Sequence, residues 1–235
     1  MGYRRFTEKT TLSDARESAE YTVEALGAYP HKSVQALGSA IEAVLASLDA
    51  LEGGRRRARR LTIRANAHVR TWDGVSDDLV RDLVKDVLGA VRQDRAAPLF
   101  TAFFPSQPSE IAAMSLSLEV EELARMLTVL AAKTTPAELR KAWTARLSSA
   151  IEESRAALAL RKSAIAAHAE AEADIARAIE RLDRVRRNAD GALTSFAAQN
   201  ARSADFNDRF FPTSSGASSA KKSAAPAGGD PTKPS

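Results

Sequence analysis

Six arginines fall within the ten residues from Arg55 to Arg64, at Arg55, Arg56, Arg57, Arg59, Arg60 and Arg64. Guanidinium groups at that density can neutralise phosphates and release counterions, so the run is a candidate nucleic-acid contact with salt-sensitive affinity. The competing reading is a solvated helix face, since on a helix these side chains wrap most of the axis. Acidic residues on a neighbouring helix, such as Glu152, Glu153, Glu170 and Glu172, could then pair with them. Lys221 and Lys222 add positive charge in a Ser/Ala/Pro-rich tail, where the plainer reading is a tether.

A second pattern is aromatic. Leu99-x-x-x-Phe103-Phe104-Pro105-Ser106 and Phe206-x-x-x-Phe210-Phe211-Pro212-Thr213 share spacing and chemistry. Phe103, Phe104, Phe210 and Phe211 are candidate interaction anchors, because an aromatic pair ahead of a proline makes a compact knob for a partner groove. The strong preference of large rings for burial favours the alternative, in which each pair staples its loop to the core. Trp72 and Trp143 are expected to pack inside in the same way.

The histidines, His31, His68 and His168, carry no ligand spacing: Ala28, Ala65 and Ile165 stand where a di-iron bundle needs glutamate. No metal is expected. Zero cysteines exclude thiolate metal sites, disulfides and a cysteine nucleophile. Neither a nucleophile elbow nor a phosphate loop nor a dinucleotide fingerprint is present. The chain is therefore read as non-catalytic and without a cofactor.

The elements that carry these residues read as helices. Aromatics make up 6% of the chain, and alanine supplies much of the 44% hydrophobic content, which suits close helix packing. Val34, Leu37, Ile41, Val44, Leu45, Leu48 and Leu51 recur at three- and four-residue steps, one face of a helix. A shorter helix is expected over 13–26, ended at Gly27 and Pro30. Gly53-Gly54 predicts a kink or an end, and Asp73-Gly74 a turn, with a new helix from Ser76 that stops before Pro98. A further helix is expected over 109–132. Thr135-Pro136-Ala137-Glu138 reads as a capping box that opens the longest one. Within it Ala150, Ala157, Ala164, Ala171 and Ala178 recur every seven residues, the mark of a supercoiled seam that lets a partner helix approach closely. A last short helix is expected over 191–202.

The sequence thus predicts an all-α protein: an elongated antiparallel helical bundle with coiled-coil-like long helices and a disordered C-terminal tail. An arm (1–31) precedes a bundle (32–212), which the repeated Phe-Phe-Pro spacing would divide into two related halves (32–108 and 109–212), and a tail (213–235) too poor in apolar residues to offset ordering. No apolar run suggests a membrane span, and no export signal is read at the N-terminus, which makes the cytoplasm the expected compartment. The alanine- and arginine-rich composition has the look of a bacterial chain. The expected function is structural: a scaffold or assembly protein that binds a protein partner or itself, with nucleic-acid association through the arginine run and basic tail as the alternative.

Overall fold

The computed structural model describes residues 3–7 and 9–212. The chain is all-α, and no strand occurs among the described residues: α1 (Leu12–Gly27), α2 (Lys32–Gln35), α3 (Gly38–Ala90), α4 (Pro98–Phe103), α5 (Pro108–Ile111), α6 (Leu116–Ala131), α7 (Ala137–Gln199) and a 3-10 turn (Phe206–Arg209). They gather into two compact units. Unit 1 takes the chain through Gly53 and again from Glu172, and unit 2 takes residues 54–171. These boundaries fall elsewhere than 108/109, where the repeated Phe-Phe-Pro spacing would divide the bundle. The tail expected over 213–235 lies outside the described residues.

In unit 1, Thr11 caps α1: its hydroxyl oxygen accepts from the Asp14 amide, and Asp14 reaches back to the Thr11 amide. That closes two backbone donors that a helix start otherwise leaves open. Ala15, Ala19 and Leu26 of α1 then bury against Ile41, Val44 and Leu48 of α3 and Leu182, Ala189 and Leu193 of α7. Phe206 and Phe210 complete this core, meeting Tyr29 edge-on at 5.5 and 5.6 Å. A window of the helical stretch Lys32–Ala90 is apolar enough by composition to cross a membrane. Ile41, Val44 and Leu48 of that stretch are core residues here.

Unit 2 is built where Val80, Leu83 and Val87 of α3, Leu123, Met126 and Leu130 of α6, and Trp143 and Leu147 of α7 converge. The short α4 is tied in by Arg125 of α6, whose guanidinium donates to the Ala102 and Phe103 carbonyls at 2.8 and 2.5 Å. It satisfies acceptors that the last helical turn leaves without amides. Where α6 and α4 do not reach, α3 and α7 run against each other as a pair. Ala58 and Ala65 of α3 and Ala150, Ala157 and Ala164 of α7 are buried, and the Thr62 hydroxyl of α3 donates to the Ala164 carbonyl at 3.2 Å. A side-chain hydroxyl reaches the facing backbone only because alanines let the helices close up. The seven-residue alanine repeat is thus a packing seam, although Ala171 is only half-buried.

Several expected boundaries are corrected. The end expected as one alternative at Gly53-Gly54, the turn at Asp73-Gly74 and the new helix from Gly191 are overturned, since all these residues lie inside continuous helices, α3 and α7. A glycine costs a helix about 1 kcal/mol, and the buried series Val69, Ser76, Leu79, Val80 and Leu83 passes Gly74 in register. Burying one such leucine or valine is worth about 1.5–3 kcal/mol, so packing overrides the turn signal. The helix stops instead at Arg92 and Gln93, both in left-handed conformation with φ 51° and 66°. The helix expected over 109–132 is two, α5 and α6, broken between them. Thr135 does not cap α7 in the expected way: its hydroxyl donates to the Val129 carbonyl at 2.8 Å and closes the end of α6.

The space around Gly74 is open, with nothing within 4 Å of an added methyl. Gly74→Ala is therefore expected to stabilise the protein by about 0.5–1 kcal/mol, read as a rise in the denaturant midpoint at unchanged slope.

Candidate functional site

The arginine run sits on the α3 side of the alanine-seamed pair. Arg55 is half-buried, and Arg56, Arg57, Arg59, Arg60 and Arg64 are exposed. No ion pair forms at Arg57, Arg59, Arg60 or Arg64 among the described residues. The seam explains this placement: Ala58, Thr62, Ala65 and Val69 point at α7, and the arginines occupy the remaining positions of the same turns.

Apolar side chains share these outer positions. Leu61 and Ile63 on α3 and Leu160 and Ile165 on α7 are exposed, Ile63 by 62%. Arg161 and Lys162 lie beside Leu158 and Ile165 along a shallow groove on α7. This stretch of unit 2 therefore presents cations and aliphatic groups together.

The phenylalanine pairs are not available as anchors. Phe103 and Phe104 are buried in unit 2, and Phe210 and Phe211 in unit 1, so each pair staples its own core. His31 packs edge-on to Phe196 at 4.9 Å and bonds Ser33 through Nδ1 at 2.8 Å. His68 is exposed and His168 half-buried. Among the described residues no group of three His, Cys, Asp or Glu side chains could hold a metal ion.

The most unusual chemistry was not singled out by motif. In unit 1 the segment Tyr3–Phe6 straps across α7. The Tyr3 hydroxyl donates to the Asp183 carboxylate, the Phe6 amide donates to the same oxygen at 2.8 Å, and Arg187 donates to the other at 2.8 Å. Burial works to raise the Asp183 pKa, but these donors hold it below the usual carboxylate range. Burial and Asp183 push the Tyr3 phenol up. Next to it Arg186 is fully buried, with one bond, to Ser18 at 2.8 Å, and its guanidinium lies 4.5 Å from the Phe6 ring, 5.4 Å from Tyr3 and 5.5 Å from Phe211. Its Nε and Nη1 find no hydrogen-bond partner among the described residues, so ring faces take the place of acceptors. A groove of about 700 Å³ beside the strap is lined by Arg5, Thr10, Ile179, Asp183 and Arg187 among others.

In unit 2 the equivalent oddity is Glu119, in the first turns of α6 and fully buried, with no hydrogen-bond donor at either carboxylate oxygen among the described residues. Ser76 of α3 and Ser154 of α7 are likewise fully buried with unpartnered hydroxyls. The bonds Trp143–Asp86 and Thr62–Ala164 fix the antiparallel register of α3 and α7, and that register sets Ser76 within a turn of Ser154.

A signal for these residues did exist. Glu119 lies three residues after Leu116 and four before Leu123, and Arg186 four after Leu182 and three before Ala189, so both occupy the apolar face of their helix. A charge in that register marks a buried ionisable group. Comparison with known protein families, with characterised proteins and with solved structures finds no match to this chain.

Proposed function

We propose that this chain is a non-catalytic interaction protein that assembles, with a protein partner or with a second copy, along the alanine-seamed α3–α7 pair of unit 2. The observation that carries this reading is the exposure of Leu61, Ile63, Leu160 and Ile165 on helices whose mutual seam is already closed by alanine. Leu61 and Ile63, two residues apart on α3, stand on opposite flanks of the helix, so the reading rests on exposed aliphatic side chains on each flank of the pair and not on one continuous patch. The alanines hold two slender helices together with little core, so their outer faces remain accessible.

A second reading rests on a different observation: Arg57, Arg59, Arg60 and Arg64 are exposed and form no ion pair among the described residues. Four phosphate contacts of this kind give a slope of log affinity against log salt of roughly −3 to −4 on duplex DNA.

One pair of variants separates the readings. Ile63→Ser with Ile165→Ser, which adds no charge beside the arginines, is expected to abolish concentration-dependent association in sedimentation velocity and to leave DNA binding intact. Changing Arg57, Arg59, Arg60 and Arg64 to glutamine should flatten the salt dependence of binding to fluorescent duplex and leave association unchanged. A wild-type chain that stays monomeric at every concentration and ignores the isoleucine changes would remove self-association, and absence of DNA binding at low salt would remove the second reading.

A further inference from the structure

Glu119 is a glutamate where the packing asks for an apolar side chain. It is fully buried, and as a carboxylate it has no hydrogen-bond donor at either oxygen among the described residues. An ionised carboxylate in that setting costs several kilocalories unless a counter-charge offsets it. None does. The charges acting on Glu119 are Asp77 and Asp73, both on α3 and both negative, and neither α6 itself nor α7 supplies a cation. Arg81 acts on Asp77, pairing with it at 4.0 Å and with Asp78 at 2.5 Å on the outer side of α3. Protonation resolves the conflict, because a neutral Glu119 carboxyl can donate its hydrogen to Asp77. Burial first, and the two aspartates second, accordingly move its pKa up to about 8.

We infer that Glu119 keeps a proton at neutral pH and that losing it loosens α6 from α3, which makes this joint of unit 2 a pH-sensitive element. The sign follows from linkage. A glutamate in the unfolded chain gives up its proton near its ordinary value, about 4.3, whereas the packed one retains it. Between the two values the folded state binds more protons, so each rise in pH favours opening, and above the higher value the effect saturates. The unpartnered hydroxyls of Ser76 and Ser154 add no charge and leave that sign unchanged.

Hydrogen exchange of the full chain from pH 5 to 9.5, corrected for the intrinsic pH dependence of exchange, tests this. The opening equilibrium of the amides in α6 should rise by up to about tenfold per pH unit towards pH 8 and then level off. Glu119→Gln, which keeps shape and neutrality, should remove the slope. Asp77→Asn should move the levelling point to lower pH. A flat wild-type profile, or the same slope in Glu119→Gln, overturns the inference. Should Glu119→Gln fail to fold, the carboxyl carbon resonance of Glu119 in the wild-type protein decides: a midpoint near 8 supports the proposal, and one near 4.5 overturns it.

Discussion

Trp143→Ala is expected to lower the stability of unit 2 by about 3–5 kcal/mol, the range for truncating a buried tryptophan. Trp143 is the largest fully buried side chain of the described residues and sits where α3, α6 and α7 converge. Three interactions end with it. Its ring fills the core, its Nε1 donates to Asp86 at 2.8 Å, and its outer face carries the Arg146 guanidinium at 4.0 Å. Trp143→Phe separates them, since it keeps most of the volume and removes the indole donor. Asp86 is exposed and regains water, so this milder change should cost only about 1–2 kcal/mol. Chemical denaturation of both variants, with hydrogen exchange to place the loss in unit 2, checks the ratio. Equal losses in the two variants would mean that the hydrogen bond, and not the packing, holds this site.

Asp183→Ala is expected to cost unit 1 about 3 kcal/mol, because it strips the acceptor shared by Tyr3, Phe6 and Arg187 and takes away the nearest anion to buried Arg186. The strap should come off α7, which limited proteolysis ahead of α1 would register. Arg186→Met is predicted to behave oppositely: an apolar chain of similar length can fill the pocket of Phe6, Tyr3 and Phe211 without an uncompensated charge, so stability should change little or rise. Acid supplies the same test without mutation. Because the folded pKa of Asp183 is depressed, its contribution is fully present above the ordinary value near 3.9 and is lost as pH falls through the folded one. Thermal midpoints between pH 2 and 6 should show this loss, and Asp183→Asn should show less of it. If Asp183→Asn retains the full acid dependence, other carboxylates carry it.

The two ionisable centres thus bias the units in opposite senses. Glu119 penalises unit 2 as pH rises, whereas Asp183 stabilises unit 1 until pH becomes strongly acidic. Both are carboxyl groups taken largely out of water on a helix, and they differ in the neighbours that the fold supplies. Asp183 meets a phenol, an amide and a guanidinium, and Glu119 meets two aspartates.

Much of the architecture was legible in the residues. The stop signals at Gly27 and Pro30 marked α1, apolar spacing marked the start of α3, the alanine heptads marked the α7 seam, and the scarcity of aromatics pointed to an all-α chain. These signals are local: they depend on which side chains share a helix face, and a period of 3.6 residues fixes that before any tertiary contact forms. The burial of Phe103, Phe104, Phe210 and Phe211 was legible for a similar reason, since ring size alone favours it. What the sequence could not determine was which glycines interrupt a helix. Asp73-Gly74 and Gly191 carry the composition of turns, and buried side chains on both sides of each, worth more than the roughly 1 kcal/mol a glycine costs, keep α3 and α7 whole there, whereas Gly53-Gly54 lies inside α3 at the division between the units. Nor could it decide the state of a charge. Whether Arg57 and Arg59 pair with acids or face solvent, and whether Glu119 meets a cation or an aspartate, depends on residues far away in the chain, and tertiary packing alone brings those together.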